Sequence, residues 1–476
     1  MKYFCSPYKK VRRPLRLPLL LFLLSLFLTA CSAGDDGLPP EAEDGVLVYA
    51  ALNPVSGTLL DSVEKFNKAH TDVQIEIRDY SDENGAQRIL TELVLGRVPD
   101  IMEMRRLGAG KDTAYSTMGN EDRPEGEYWM PYRQLVQKGY LENLWPYIEN
   151  DPELGREGVL EAPLKAAEID GGLYMLFPEV SINTLMGPEH IVGSRSGWTL
   201  EELMETFSTM PEGSTILRYT ATKREMFSRI LCTELTQYVN METGECSFDS
   251  KGFRDILKFL NTFPDKFETN LSPSAVENEF ADRILGGYQM LEMVVLDMLE
   301  DVAYFDAIFA ERAVYVGYPT EDGSLGSFFY LHGNILAMSS TCREKESAWA
   351  FMSQMIRKRY NSSRMLDMLN HEQIKIPVNL ANYKLGNEVA RKDEHLVSFG
   401  PIFPSEPRFE VDRVTRDDLR RFETLVNSTM RIYWPDNDLS DIVWESCGPY
   451  FAGDKTLDEA VQMIQNRVKI YVNEQR

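Results

Sequence analysis

The sequence predicts an α/β fold built on a parallel sheet, and two observations support this prediction. Between residues 47 and 104, runs with strand periodicity alternate with runs with helix periodicity. A βαβαβ order of this kind is most simply built as a parallel sheet with right-handed crossovers. The second observation is length, because 476 residues less a predicted 30-residue leader leaves 446, which is more than one core usually holds. We therefore expect two or three domains.

The elements of this alternation follow one another along the chain. Residues 47–52 form a short apolar run, as expected of a strand buried on both faces, and apolar residues over 59–66 recur at helical spacing. Over 73–77 apolar and polar residues alternate, which predicts a strand with one wet face at an edge of the sheet. A second amphipathic helix is expected to end at Gly96, and 100–104 to form the third strand.

Two later helices are predicted by their N-terminal caps. Thr199 and Glu202 have the spacing of a capping box, and Trp198 and Leu203 have that of a hydrophobic staple. A second capping box opens a helix over 456–471, whose apolar residues recur in alternating steps of four and three. We expect that apolar stripe to pack on the body of the protein.

The N-terminus predicts export and lipidation. A basic segment precedes an apolar run over 17–28, which is shorter than the ~20 residues that span a bilayer but suits a signal peptide over 1–30. The run ends in Leu-Thr-Ala-Cys, which resembles the bacterial lipobox and makes Cys31 the expected lipidation site. Residues 31–45 are small, acidic and rich in Pro and Gly, as expected of a flexible tether. The expected location is the outer face of the bacterial cytoplasmic membrane.

Composition disfavours several classes of partner. The formal net charge of −24 becomes about −30 without the six basic residues of the leader, which argues against nucleic acid or an anionic membrane surface as a partner. The five histidines and the cysteines lack metal-ligand spacing, so we expect neither a metal nor another cofactor. Cys232 and Cys246 could form a local disulfide outside the cytoplasm, and two free thiols are the alternative.

Motifs along the whole chain resemble those of one family. In order, the stretches are LVYA at 47–50, VEKFNKAH at 63–70, GRVPDI at 96–101, DGGLYMLFP at 170–178, GWTLEEL at 197–203, GYPTEDG at 317–323, AWAFM at 348–352 and the tail at 453–467. Together they resemble the extracellular solute-binding proteins of family 1, the maltose-binding-like type. The resemblance covers residue 46 to the end, apart from an expected insertion at 106–129. Around 288–297 an aliphatic run replaces the family's Gly- and Trp-bearing turn.

This resemblance implies a periplasmic-binding-protein-like fold of type II, with two α/β lobes, a hinge and a central ligand cleft. The chain is then expected to cross between lobes near 178–181, near 317–330 and near 360–377. Closure is a hinge motion that a ligand stabilises by touching both lobes. The implied division is 46–180 plus 318–362 for the N-terminal lobe and 181–317 plus 363–476 for the C-terminal lobe.

Candidate ligand-binding residues follow from the rule that ligands bind beyond the carboxyl ends of parallel strands. A sugar needs flat side chains against its C–H faces, and carboxylates, amides or Arg for its hydroxyls. The nominated residues are Asn53, Tyr80, Asp82, Arg105, Glu179, Glu292, Tyr330, His332, Trp434 and Asp436. The alternative for His332 is a satisfied buried histidine, and the alternative for the acidic stretch 436–438 is a solvated loop.

The sequence therefore predicts a lipid-anchored, monomeric binding protein that captures a sugar or oligosaccharide for an ABC importer, working with permease subunits and a cytoplasmic ATPase. The same fold could instead bind a peptide or polyamine, or report to a sensor kinase. An exported glycoside hydrolase is the rival enzymatic class, since 74 acidic residues could supply its two carboxylates. No G-x-S-x-G, H-E-x-x-H or Gly-rich phosphate loop occurs in the sequence, so we do not expect an enzyme.

Overall fold

The computed structural model describes residues 44–97, 99–107, 127–218, 221–231, 235–240, 243–266, 282–370, 374–392 and 413–475. The predicted signal peptide, Cys31, nearly all of the tether, most of the insertion and Cys232 lie outside these residues, so what the sequence predicts for them stays a prediction. Among the described helices, none combines the length and the hydropathy that a bilayer crossing requires.

The described residues form seventeen α-helices and eleven strands. The helices are α1 (Gly57–Ala69), α2 (Gly85–Val94), α3 (Tyr132–Gln137), α4 (Trp145–Asn150), α5 (Glu161–Ala166), α6 (Glu189–Val192), α7 (Leu200–Ser208), α8 (Lys223–Ile230), α9 (Lys251–Leu260), α10 (Glu300–Phe309), α11 (Lys345–Met352), α12 (Gln354–Arg357), α13 (Ser362–Asn370), α14 (Leu380–Ala390), α15 (Arg416–Ser428), α16 (Asn437–Phe451) and α17 (Leu457–Gln475). The strands are β1 (Val46–Ala51), β2 (Gln74–Asp79), β3 (Ile101–Glu103), β4 (Arg105–Arg106), β5 (Tyr128–Trp129), β6 (Glu179–Pro188), β7 (Glu292–Leu296), β8 (Ala313–Tyr315), β9 (Phe328–His332), β10 (Leu336–Met338) and β11 (Ile376–Pro377).

The first sheet confirms the parallel arrangement that the sequence predicts. Its order is β10-β3-β1-β2, with β1 parallel to both β2 and β3 and with β10 antiparallel to β3. Residues 47–52 are 1% exposed or less, as expected of a central strand, and β2 lies at the edge, as its wet face predicts. Gly96, at φ +73°, follows the end of α2 in the left-handed region that favours glycine.

The second sheet is organised around one long strand, β6. Glu179 pairs with both Pro377 of β11 and His332 of β9, and Met186 pairs with both β7 and β8. Because a strand has only two edges, β11 and then β7 line one edge of β6, and β9 and then β8 line the other. The three segments that the sequence predicts to cross between lobes therefore lie side by side. We call β6, β9 and β11 the crossing sheet.

Strand β6 lies between two hydrophobic cores. Val180, Ile182 and Met186 lie on one face of the strand and belong to the core that covers the first sheet and extends to α10 and α15. Leu185 belongs to a second core, which is formed by 185–263, 290–293, 316–328 and 439–472. The two buried cores thus meet along β6, and the exact lobe boundaries stay a prediction.

Both predicted helix caps are confirmed. The Thr199 hydroxyl accepts a hydrogen bond from the Glu202 amide, and the Glu202 carboxylate accepts one from the Thr199 amide. Trp198 beside this cap is fully buried and donates to the Gly317 carbonyl at 2.9 Å. Thr456 and Glu459 make the same reciprocal pair of bonds at the start of α17. Most of the stripe behind Thr456 is buried in the second core, as expected.

The predicted disulfide between Cys232 and Cys246 stays a prediction, because Cys232 lies outside the described residues. The thiol of Cys246 donates to the Gly244 carbonyl at 3.7 Å. Cys342 and Cys447 are buried free thiols.

Candidate ligand-binding site

One face of the crossing sheet is polar, whereas the other is apolar. Along β6, residues 179, 181 and 183 alternate with Val180 and Ile182, and alternate residues of a strand point to opposite faces. Residues directly opposite each other on antiparallel strands share a face. His332 and Tyr330 of β9 pair with residues 179 and 181, so they lie on the same face. We call this surface the polar face, and its members are Glu179, Ser181, Asn183, Tyr330 and His332.

Four aromatic side chains gather on and beside the polar face, and we call them the aromatic cluster: Trp129, Tyr330, Tyr433 and Trp434. The rings of Tyr330 and Tyr433 are stacked, with centroids 5.9 Å apart and planes 27° apart. Trp129 meets both of them edge-on and lies 4.8 Å from Trp434. Trp129 is buried, whereas the other three are half-buried and so keep surface available to a ligand.

The ends of the aromatic cluster are fixed by polar bonds to different parts of the chain. The Tyr433 hydroxyl shares a hydrogen bond of 3.0 Å with the hydroxyl of Ser228. The Trp434 indole N–H donates to the carbonyl of Met130 at 2.9 Å. Bonds of this kind hold the rings in place before any ligand arrives.

An arginine lies on each side of the polar face. The Arg105 guanidinium is 5.0 Å from the Trp129 ring centre and 5.4 Å from that of Tyr330, within cation–π range. It also donates to the Leu331 carbonyl at 3.2 Å. On the other side, Arg229 donates to Asn183 Oδ1 at 3.2 Å and is ion-paired with Glu225 at 3.3 Å. Arg105 follows the first sheet, whereas Arg229 lies on α8, so the polar face is contacted by both halves of the fold.

His332 lies on the polar face and is also satisfied within it. Its Nε2 shares a hydrogen bond of 2.6 Å with the Ser181 hydroxyl. Burial, together with the positive charges of Lys375 and Arg105, lowers the pKa of His332 to about 3. The imidazole is therefore neutral at neutral pH, so it can serve as a hydrogen-bonding group but not as a charge.

Glu179 lies where all three crossing strands meet. Burial raises the pKa of its carboxyl to about 7, and the carboxylate of Asp297 adds to the effect while the ammonium of Lys375 opposes it. Lys375 is itself ion-paired with Asp297. The carboxyl can thus be neutral or charged near neutral pH, which allows it either to donate or only to accept a hydrogen bond.

Glu179→Gln should stabilise the protein at pH 8 and have little effect at pH 4. The Glu179 carboxyl has a pKa of 4.5 in the unfolded chain and about 7 in the folded protein. Below pH 4.5 it is protonated in both states and costs no stability. Between these two pKa values the cost grows with pH, and above about pH 7 it stays constant. At about 1.4 kcal/mol for each pH unit, the gain in free energy of unfolding should reach up to about 3 kcal/mol. Urea unfolding of both proteins at pH 4, 6 and 8 measures it. A constant difference across this range would contradict the assignment.

Asn53 and Asp82 lie near Arg105 but support the chain around β4. The Asn53 amide donates to Glu103 and to the Arg105 carbonyl, both at 2.8 Å, and accepts from the Leu107 amide at 2.8 Å. Asp82 is exposed and binds Arg88 through its carboxylate. These contacts hold the segment that carries Arg105, and neither side chain is on the polar face.

Three other nominated side chains make their contacts away from the polar face. Tyr80 is 3% exposed, and its hydroxyl donates to Glu92 at 2.9 Å inside the first core. Glu292 is buried with Arg218 and pairs with Met186, which lies seven residues, or about 23 Å, further along β6 than Glu179.

Asp436 is the third. Its carboxylate caps α16 by accepting from the Leu439 amide at 3.0 Å, and it also accepts from the Tyr471 hydroxyl at 3.2 Å. Together with Trp434, Tyr132 and Gln134 it lines a cavity of about 230 Å³. Asp is a preferred N-cap residue. A helix cap therefore describes the role of Asp436 in the structure better than a solvated loop or a ligand contact does.

Sequence reasoning missed several residues that the fold brings to this place. Ser181 and Asn183 could have been found from the alternation of polar and apolar residues over 179–183. Tyr433 begins the aromatic and polar stretch 433–438 that also contains the nominated Trp434. Trp129 and Arg229 gave no such signal, because they come from distant segments that meet only in the fold. Where the chain is described, no set of three or more His, Cys, Asp and Glu is arranged to hold a metal ion.

Comparison with known proteins identifies the fold. No family model matches the sequence, and no curated protein sequence matches it. Among solved structures, the sugar-binding protein MalE from Xanthomonas citri matches with a TM-score of 0.50 at 14% identity, over 90% of this chain and 97% of that one. An oligogalacturonide-binding protein from Yersinia enterocolitica gives 0.49 at 13% identity, over 90% and 100%. A family 1 solute-binding protein from Alicyclobacillus acidocaldarius gives 0.46 at 13%, over 91% and 99%.

The fold assignment rests on the first of these matches, which spans nearly the whole of both chains. It agrees with the crossing sheet, in which the three predicted crossing segments lie side by side, and with the motif order along the sequence. The chain therefore has the two-lobed α/β fold of the type II periplasmic binding proteins, the fold that its resemblance to family 1 solute-binding proteins implies.

Proposed function

We propose that this protein is an extracytoplasmic solute-binding protein that captures a sugar or oligosaccharide against the polar face of its crossing sheet. The observation that carries the proposal is the stacked pair Tyr330 and Tyr433 at the polar face, where Arg105 contacts Tyr330 and Arg229 contacts Asn183. The sugar-binding protein MalE, whose fold the chain shares, supports the ligand class.

The chemistry of the face suits a sugar. Half-buried aromatic rings can cover the C–H face of a pyranose, while the Glu179 carboxyl and the Arg105 guanidinium can bind its hydroxyls. A ligand there would touch residues from both cores at once, so it would favour the closed arrangement of the two lobes. Pockets at domain junctions with a few convergent polar groups are a common form of ligand site.

We also propose that a lipid anchors the protein to the membrane and that the protein delivers its sugar to an ABC transporter. Cys31 is the lipidation site, the chain is held on the outer face of the cytoplasmic membrane, and the tether lets the lobes reach an ABC permease driven by a cytoplasmic ATPase. The protein works as a monomer and performs no catalysis. The lipobox resemblance supports the anchor, and the resemblance to importer-associated binding proteins supports the permease.

A thermal-shift screen of the purified protein tests the ligand class. The panel contains neutral and acidic mono- and oligosaccharides, with peptides and polyamines as controls. A ligand at a hundred times its Kd adds about 2.7 kcal/mol of stability, which is worth roughly 2–4 °C for a chain of this size. A shift with one sugar class supports the proposal, whereas a shift with peptides or polyamines alone would keep the fold and exclude the sugar.

Cys31→Ala should release the protein from the membrane almost completely. The cysteine sulfur is the proposed attachment point of the lipid, and the apolar run before it is too short to anchor the chain by spanning a bilayer. Membrane fractionation and palmitate labelling of cells that produce each variant measure the effect. Cys246→Ala is the matched control and should stay in the membrane fraction; equal retention of both variants would rule out the anchor.

A further inference from the structure

The side chain of Asn183 carries a buried hydrogen-bond donor with no described partner. Asn183 is 4% exposed, and its Nδ2 makes no hydrogen bond with any residue that the structure describes. Leaving a buried donor unpaired costs free energy that a protein rarely accepts without a reason. The unpaired group lies on the polar face, beside Ser181 and opposite Phe328 of β9.

The orientation of this amide is fixed by its neighbour. Arg229 donates to Asn183 Oδ1 at 3.2 Å, and a guanidinium can only donate. The oxygen must therefore face Arg229, and the amide cannot be turned around so that Nδ2 takes the place of Oδ1. Arg229 is held in turn by Glu225 and by the Tyr318 hydroxyl. The NH2 group is thus directed away from Arg229 by a chain of bonds through the C-terminal half of the fold.

The unpaired donor is next to the aromatic cluster. Ser228, the neighbour of Arg229 in the chain, shares its hydrogen bond with Tyr433. The Tyr433 ring also lies 5.7 Å from the ring of Phe328, the residue opposite Asn183. A ring stacked on Tyr330 or Tyr433 would therefore lie beside Asn183.

The unpaired group also limits what can bind beside it. Nδ2 can only donate a hydrogen bond, so its partner must present an acceptor oxygen. A sugar offers such an oxygen as a carboxylate, as a ring or glycosidic oxygen, or as a hydroxyl.

We infer that Asn183 donates its Nδ2 hydrogen to an acceptor oxygen of the bound sugar, and that Arg229 is the positioning residue that orients the amide. This inference rests on the proposed function and names a ligand-contacting residue within it. Asn183 is then a specificity determinant of the site, because an analogue without an acceptor oxygen at this place leaves the donor unpaired.

The test compares Asn183→Asp with wild type in thermal-shift titrations against matched sugar pairs, glucuronate with glucose and galacturonate with galactose, and their oligosaccharides. Aspartate keeps the acceptor for Arg229 and has the same shape, but offers no hydrogen when ionised. The apparent affinity for whichever sugar binds should fall at least tenfold, while the melting temperature of the ligand-free protein stays within a few degrees of wild type. Asn183→Leu, which removes the donor in any protonation state, should lose at least as much. Asn466→Asp, on an exposed turn of α17, is the matched control.

The outcomes separate this inference from the proposed function. Loss of the shift in both Asn183 variants supports the inference, and the sugar of each pair that binds wild type distinguishes a carboxylate from a neutral sugar oxygen. A shift that is unchanged in the variants overturns the inference and leaves the sugar-binding proposal standing. No shift of wild type with any sugar overturns both.

As a second readout, Arg229→Lys should change the ratio of affinities within a sugar pair. Lysine keeps the charge beside Glu225 but loses the planar geometry that fixes the amide. A role limited to stability would lower the melting temperature and leave that ratio unchanged, and this result would contradict the positioning role.

Discussion

Tyr433→Ala should weaken sugar binding by about 30-fold, which corresponds to about 2 kcal/mol of binding free energy. Under the proposed function, the Tyr433 ring forms half of the stacked pair on the polar face, and its removal takes away aromatic surface that a sugar ring would cover. Isothermal titration with the sugar found in the screen measures the loss directly. The unfolding midpoint of the variant is recorded as well, because Tyr433 also packs against Trp129.

Two further variants separate the ring from its surroundings. Tyr433→Phe keeps the ring and loses only the hydrogen bond to Ser228, so most of the affinity should remain. Tyr450→Ala removes a half-buried tyrosine on α16 that lies outside the aromatic cluster, and its affinity should equal that of wild type. If Tyr433→Ala bound as tightly as Tyr450→Ala, the stacked pair would not be the binding surface.

Arg218→Met should lower the free energy of unfolding at pH 8 by about 3–5 kcal/mol, the usual effect of leaving a buried charge without its partner. Glu292 is 3% exposed and is ion-paired with Arg218, and Gln289 donates a further hydrogen bond of 2.6 Å to it. Burial already raises the pKa of this carboxyl in the wild type, even with Arg218 beside it. Removing the guanidinium raises that pKa further.

The pH dependence and a double variant check this explanation. A carboxyl with a raised folded pKa costs stability as pH rises above its unfolded value, so the effect of Arg218→Met should shrink on going from pH 8 to pH 4. Adding Glu292→Gln removes the charge and should restore most of the loss at pH 8. Arg254→Met, which breaks an exposed ion pair with Asp458, should cost about 1 kcal/mol or less. A loss that the double variant does not restore would point to packing rather than charge.

Features that depend on local sequence were predicted well. The order of β1, α1, β2, α2 and β3 follows from short-range periodicity, and both capping boxes depend on residues three apart. The edge position of β2 was also predictable, because the wet face of a strand is visible in its own alternation. The three crossing segments followed from the resemblance, and the structure pairs them in one sheet.

The candidate site was predictable in part. Arg105 lies just beyond a parallel strand, as the rule for strand ends predicts, and Glu179, Tyr330 and His332 lie in the crossing segments that the resemblance implies. Trp434 was predicted from its aromatic and polar neighbours in the sequence. Tyr80 also follows a strand, but a large ring can turn inward when a buried partner such as Glu92 accepts its hydroxyl. The contribution of Arg229 could not be predicted, because it reaches the polar face from α8, and nothing in the local sequence of that helix distinguishes it from other charged positions.

One saccharide should bind per chain at the aromatic cluster, and native mass spectrometry of the purified protein with a pooled oligosaccharide library can count it. We expect one adduct per chain, with a mass that identifies a saccharide and an intensity that falls sharply for Tyr433→Ala but not for Tyr450→Ala. If the wild type carried no saccharide adduct, or if both variants retained it equally, the aromatic cluster would not be the binding site.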